Sequence, residues 1–208
     1  CQHGERRVAR LEHLGSFTAF ADRFEGKRFN SPNDLVIAKS GIVYLTDPPY
    51  GLKKGTDLPE LDVDGIFAVD ASGKVSLIDK AVRFPNGIAL SPDEKTLYVA
   101  VSDPQDTRVI AYDLATPGAA SRVVLNAQSL KSPQRKGGCD GMKVDAQGNI
   151  WTTGPGGVLI LDKNGKHLGS ILTGQATANC AWGGEDRSTL YITADMFLLR
   201  VKTKVKGS

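Results

Sequence analysis

Four times along this chain an Asn or Asp is followed, 11 or 12 residues later, by an aromatic residue inside a β-rich run: Asn33 and Tyr44, Asn86 and Tyr98, Asp140 and Trp151, Asn179 and Tyr191. Each leading residue opens a short stretch: Asn33-Asp34-Leu35-Val36-Ile37, Asn86-Gly87-Ile88-Ala89-Leu90, Asp140-Gly141-Met142-Lys143-Val144 and Asn179-Cys180-Ala181-Trp182. A Gly, Asp, Pro or Ser turn follows, and then the aromatic-centred strand. Such runs of four to six residues, punctuated by turn formers and lacking a 3.6-residue period, predict an all-β fold.

Third strands are predicted at residues 65–70, 108–113, 157–162 and 197–201, and fourth strands at 74–78, 122–125 and 168–172. Four antiparallel strands per unit, repeated at this length, predict the blades of a β-propeller. The leading residues are spaced 53, 54 and 39 positions apart, so two units carry insertions, at residues 48–64 and 129–138. Insertions in a propeller emerge at its faces, where binding sites are built. Residues 6–11 and 16–21 read as the third and fourth strands of an earlier unit, and residues 1–4 as the tail of its second strand. The expectation is one propeller domain over residues 1–208 with about four and a half blades, where propellers have about four to eight, the ring being truncated at its N-terminus.

Composition narrows the partners. The net charge is +3 and the basic residues are scattered, without the clusters that bind nucleic acid or anionic membranes. No run approaches the length of a membrane span. Three cysteines, Cys1, Cys139 and Cys180, without CxxC spacing argue against a disulfide framework and a thiolate zinc site. Reduced thiols point to a cytoplasmic location.

In a propeller the innermost strands line a central channel, so residues at equivalent starting positions converge at one mouth. Asn33, Asn86 and Asp140 hold that position in three successive units, and Asn179 in the fourth. Two amide oxygens and a carboxylate form a hard donor set, suited to Ca²⁺, Mg²⁺ or Mn²⁺. Asn or Asp before Gly is also what a tight turn demands, and the residues alone leave both readings open. Weaker candidates are Asp47 in Thr46-Asp47-Pro48-Pro49-Tyr50, placed to reach the channel mouth or to cap a loop, and His3 near the chain start. No Ser is set beside a His and an acid as a nucleophile would require. Gly154, Gly156 and Gly157 lack the following helix of a phosphate loop.

The stretches Arg28-Phe29-Asn30-Ser31-Pro32-Asn33-Asp34-Leu35, Tyr44-Leu45-Thr46-Asp47-Pro48-Pro49-Tyr50-Gly51, Phe84-Pro85-Asn86-Gly87-Ile88 and Cys139-Asp140-Gly141-Met142 resemble the gluconolactonase branch of the regucalcin/gluconolactonase family. The resemblance implies a six-bladed propeller with one divalent cation, Ca²⁺ foremost and Zn²⁺ also used, hydrolysing sugar lactones to aldonic acids. It implies metal ligation by Asn86 and Asp140 with Asn33 near the metal, and Asp140 as the base that directs water at the lactone carbonyl. Asp47, Asn179 and His3 are then candidate substrate contacts. Two departures stand out. The Glu-Gly-Pro motif that supplies the family's remaining ligand is absent, since Glu25-Gly26 is followed by Lys27, and Ser31 stands where regucalcin-like members carry an Arg. With one carboxylate in the set, this 208-residue chain is expected to bind its cation weakly. The rival readings are a non-catalytic propeller that binds a metal or a protein, and a propeller of the strictosidine-synthase kind.

Overall fold

The computed structural model describes residues 1–116, 118 and 120–208. These residues form nineteen strands and one 3-10 turn, at Gln128–Leu130, so the all-β expectation holds. The chain divides into two compact units, Cys1–Asn86 and Gly87–Ser208.

In the first unit, β1 (Val8–Leu11) and β2 (Phe17–Ala21) pair as a two-stranded sheet, and β3 (Arg23–Phe24) and β4 (Lys27–Arg28) form a small hairpin. Glu25 and Gly26 supply its turn at φ of 51° and 81°, the left-handed pair that a two-residue hairpin needs. Glu25 is therefore a turn residue. A four-stranded meander follows: β5 (Leu35–Ile37), β6 (Val43–Asp47), β7 (Gly65–Val69) and β8 (Val75–Asp79). Phe29, Leu45, Phe67 and Val69 are fully buried among Val8, Ala21 and Leu61. Each large side chain so buried contributes about 1.5–3 kcal/mol.

The strand β9 (Pro85–Leu90) begins the next meander, continued in the second unit by β10 (Thr96–Val101), β11 (Arg108–Asp113) and β12 (Arg122–Asn126). The third meander is β13 (Met142–Val144), β14 (Ile150–Gly154), β15 (Gly157–Leu161) and β16 (His167–Leu172). The last sheet has β17 (Thr177–Gly183), β18 (Thr189–Ala194) and β19 (Phe197–Lys202). Tyr98, Val109 and Ala111 pack on Met142, Ile150 and Leu161 between the first two of these sheets. Trp151 and Val158 pack on Cys180, Leu190 and Ile192 between the last two.

Within the meanders the second strands β6 and β14 are buried along their whole length, whereas the fourth strands β8 and β16 are half-buried or exposed. Strands buried on both faces read as continuous apolar runs, and Val43-Tyr44-Leu45 and Leu97-Tyr98-Val99 are of that kind. The pairing of third with fourth strand slips by one residue in every meander, leaving Ile78, Val124 and Leu168 as the extra residue. The β1–β2 pair carries the same slip at Phe20. This is the bulge that the third and fourth strands of each meander carry.

Candidate functional site

The residues singled out by the repeat lie at the entrances of the first strands. Val36 pairs with Tyr44 and Lys143 with Trp151, so Asn33 and Asp140 both stand three residues before the partner of the aromatic. Asn179 does not share this register. Ala181 pairs with Tyr191, and the slip between Thr177 and Asn179 leaves Ala178 as an extra residue. Asn179 stands two residues before the partner of its aromatic, one fewer than Asn33 and Asp140.

At three of the four entrances a backbone N–H meets a threonine hydroxyl. The Asp34 N–H is 3.2 Å from the Thr46 hydroxyl, and the Asp140 and Asn179 N–H groups donate to Thr153 and Thr193 Oγ1 at 3.0 Å. These threonines sit two residues after the aromatic in three of the four repeats, as Tyr44-Leu45-Thr46, Trp151-Thr152-Thr153 and Tyr191-Ile192-Thr193. That recurrence was the available signal. A hydroxyl suits the position because it accepts from one backbone and donates to another. Thr46 Oγ1 donates to the Asn86 carbonyl at 2.7 Å.

In the first unit, Asn33 is half-buried and donates its N–H to the Thr46 carbonyl at 2.8 Å. Asn86 is buried, at 7% exposure. Asp47 is fully buried, and its two carboxylate oxygens accept the N–H groups of Asn30 and Ser31, each at 2.7 Å. Burial pushes its carboxyl up to about 7, against the lowering effect of those two bonds and of Arg6, with Asp64 adding to the rise. His3 is half-buried, and a Cβ built on Gly51 would lie 2.6 Å from its Cβ and 2.8 Å from that of Ser31. Only a glycine lets these chains meet there. Burial lowers the His3 imidazole below its ordinary value.

The insertion at residues 48–64 helps line a cleft of about 430 Å³, together with Asn30, Lys80, Arg83 and Phe84 among others. Phe84 adopts a φ of 51°, uncommon for an aromatic. Its ring stacks on Tyr50 at 5.9 Å, the Arg83 guanidinium lies 5.0 Å from the ring centre, and its N–H donates to Asp64. Burial raises the Asp64 carboxyl, opposed by that bond and by Arg83.

In the second unit, the half-buried Asp140 is held from both sides of its peptide. Its carbonyl accepts the Gly87 N–H at 3.1 Å, and the preceding Cys139 carbonyl accepts the Ser102 hydroxyl at 2.5 Å. A Cβ on Gly87 would stand 2.1 Å from the Asp140 carbonyl oxygen, and one on Gly141 would stand 2.2 Å from the Asn179 carboxamide. Glycine at both positions permits this close approach, which brings Asn179 against Gly141 beside Asp140. Asn179 Oδ1 accepts the Cys180 N–H at 2.8 Å.

Asn33 and Asn86 in the first unit carry amide oxygens and Asp140 in the second a carboxylate, donor types that suit hard divalent cations. Among the described residues no three His, Cys, Asp or Glu side chains gather as a metal cluster, and no helix is long and apolar enough to cross a membrane.

Residues 1–195 match the family described as SMP-30/Gluconolactonase/LRE-like region. The chain is 43% identical over 193 residues to a gluconolactonase of Zymomonas mobilis, covering 89% of this chain and 54% of that protein. It is 28% identical over 201 residues to the pentonolactonase XacC of Haloferax volcanii, covering 88% of this chain and 65% of that one. The solved structure of XC5397, a gluconolactonase of Xanthomonas campestris, superposes with a TM-score of 0.83 at 31% identity, over 100% of this chain and 67% of that chain. The chain thus spans about half the length of the Zymomonas protein. With its four-stranded antiparallel blades and this match along most of its length, the chain belongs to the SMP-30/gluconolactonase/LRE-like family of β-propeller proteins.

Proposed function

We propose that this chain carries part of the active site of a cation-dependent hydrolase that opens sugar lactones to aldonic acids. The observation that carries the reading is the shared register of Asn33 and Asp140, in a chain whose relatives are named gluconolactonase and pentonolactonase. Asn33, Asn86 and Asp140 would hold the cation, Ca²⁺ foremost, with Zn²⁺, Mg²⁺ and Mn²⁺ as the other candidates. When bound, such an ion supplies Lewis acidity toward a carbonyl oxygen.

The chain's own residues do the rest. Asp140 orients a water toward the lactone carbonyl carbon and takes its proton as the new C–O bond forms. The ring C–O bond then breaks, and the proton passes to the departing ring oxygen. Thr153 and Gly87, which bind the Asp140 N–H and carbonyl, hold the backbone from which its carboxylate projects. Preorganisation of this kind removes the need to reorient the base in the transition state. Asn179 and His3 are candidate contributors to substrate binding, whereas Asp47 is buried with both carboxylate oxygens taken by backbone N–H groups.

The test is hydrolysis of glucono-δ-lactone by the complete protein, with each cation and after chelation. Addition of cation should raise the rate. Asp140→Asn should lower kcat by about 10²-fold or more while leaving the melting temperature near that of the parent. A variant that keeps the full cation-stimulated rate would overturn the proposal.

A further inference from the structure

We infer that Asp47 is a positioning residue for the Asn33 arm of the proposed site, holding residues 30–33 through their backbone. The inference rests on the reading of Asn33 as a cation ligand.

Residues 30–33 lie outside every strand, between β4 and β5. Pro32 has no N–H to donate. What fixes this stretch comes instead from residues 46–51, from Arg6, and from the carbonyls of Asp22 and Val63, which accept the Phe29 N–H and the Asn30 carboxamide. Arg6 Nε donates to the Phe29 carbonyl at 2.7 Å. The Asp47 carboxylate takes the N–H groups of Asn30 and Ser31 on separate oxygens. The Ser31 hydroxyl donates to the Pro48 carbonyl at 2.5 Å and accepts the Gly51 N–H at 2.8 Å. The Asn33 N–H closes the series on the Thr46 carbonyl. Phe29, Asn30, Ser31 and Asn33 are each tied, and the Asp47 carboxylate accepts two of the bonds while its carbonyl takes a third from the Asn30 carboxamide.

A carboxylate is the side chain that can do this. Two converging N–H groups form a concavity that suits an anion or a pure acceptor. An Asn at the same place would turn an NH₂ group toward one of the two donors. Burying a carboxylate fully is costly unless its oxygens are met, and here fixed donors meet both of them. The charged groups around it are Arg6, which also lies 3.9 Å from Glu60, and Asp64. Asp47 touches the segment that ends at Asn33. Its effect on the site runs through the backbone, so loss of the clamp should loosen Asn33 while leaving the distant sheets intact.

Two NMR measurements on the full chain, made above the pH at which the Asp47 carboxyl ionises, test this. The first is amide exchange in the metal-free protein, and the second is Mn²⁺-induced broadening of the Asn33 side-chain carboxamide. In Asp47→Asn the Asn30, Ser31 and Asn33 amides should exchange about tenfold faster, as loss of a charge-assisted hydrogen bond implies. Amides of β14 and β15 should be unchanged. Half-broadening of Asn33 should need about tenfold more Mn²⁺. Unchanged exchange and titration would overturn the inference, and so would a uniform loss of protection across all sheets. Should Asp47→Asn fail to fold, Ser31→Ala removes a neighbouring tie and keeps the carboxylate. A smaller shift in the same direction would then support the inference, and no shift would overturn it. Absence of Mn²⁺ broadening at Asn33 in the parent protein would overturn the ligand reading itself. Broadening in the parent with no change in the variant would overturn only the role of Asp47.

Discussion

The hydroxyl of Thr46, at the end of a fully buried strand, donates to the backbone carbonyl of Asn86 at 2.7 Å. The same oxygen lies 3.2 Å from the Asp34 N–H. One atom therefore joins the entrances of two successive first strands. Thr46→Val preserves the shape and removes both bonds, one to a buried residue's carbonyl and one from a half-buried N–H. The expected cost is about 1–3 kcal/mol, read as a lower urea midpoint with an unchanged slope. Lactone hydrolysis should fall further than stability alone explains.

Gly87 has no room for a side chain, because a Cβ would stand 2.1 Å from the Asp140 carbonyl oxygen. The obstacle is backbone and cannot rotate away. Gly87→Ala should destabilise the chain by about 2 kcal/mol or more and displace Asp140. Gly169→Ala is the control, since nothing lies within 4 Å of its built Cβ. It should be neutral or stabilising by about 0.5–1 kcal/mol. Denaturation curves of the two variants make the comparison.

Asp47 should leave a mark on the pH dependence of stability. Its carboxyl is pushed up to about 7 in the folded chain, against about 4 in an unfolded one. Between those values the native state holds a proton that the unfolded state has released. Stability contributed by this group is therefore present at low pH, falls as pH rises through the window, and levels off above about 7. Urea midpoints measured from about pH 4 to 8 should show that slope in the parent, less its value in Asp47→Asn.

The thiols should divide sharply. Cys139 and Cys180 are buried and their thiols are pushed up to about 11, whereas Cys1 is exposed. A thiolate-specific reagent near pH 8 should label Cys1 fast and the other two only on unfolding. Fast labelling of Cys139, next to Asp140, would mean that the first-strand entrance opens in the native state.

Much of this was legible from residue order. Tyr44, Tyr98, Trp151 and Tyr191 marked their strands because β-branched neighbours and flanking turns announce a buried central strand. The position of Asn33 and Asp140 followed from the same spacing. Asn179 did not, because the turn between Ala181 and Tyr191 is two residues longer than the turns between Val36 and Tyr44 or Lys143 and Trp151, and the Asn-to-aromatic spacing does not show where in a hairpin extra residues fall. The β3–β4 hairpin escaped notice because two-residue strands have no periodicity to read. The sequence marked Asp47 as a loop acid. Its grip on Asn30 and Ser31 joins groups 16 and 17 residues apart, a pairing that only the folded β5–β6 connection creates.

The slipped pairings at Phe20, Ile78, Val124 and Leu168 have a consequence beyond local geometry. A last strand that is one residue out of step twists away and offers no continuous ladder to a strand from another molecule. Because the slip recurs in unit after unit, duplicating a unit duplicates its protection against aggregation. A lineage could lengthen or shorten such a chain without first inventing a new way to keep it soluble.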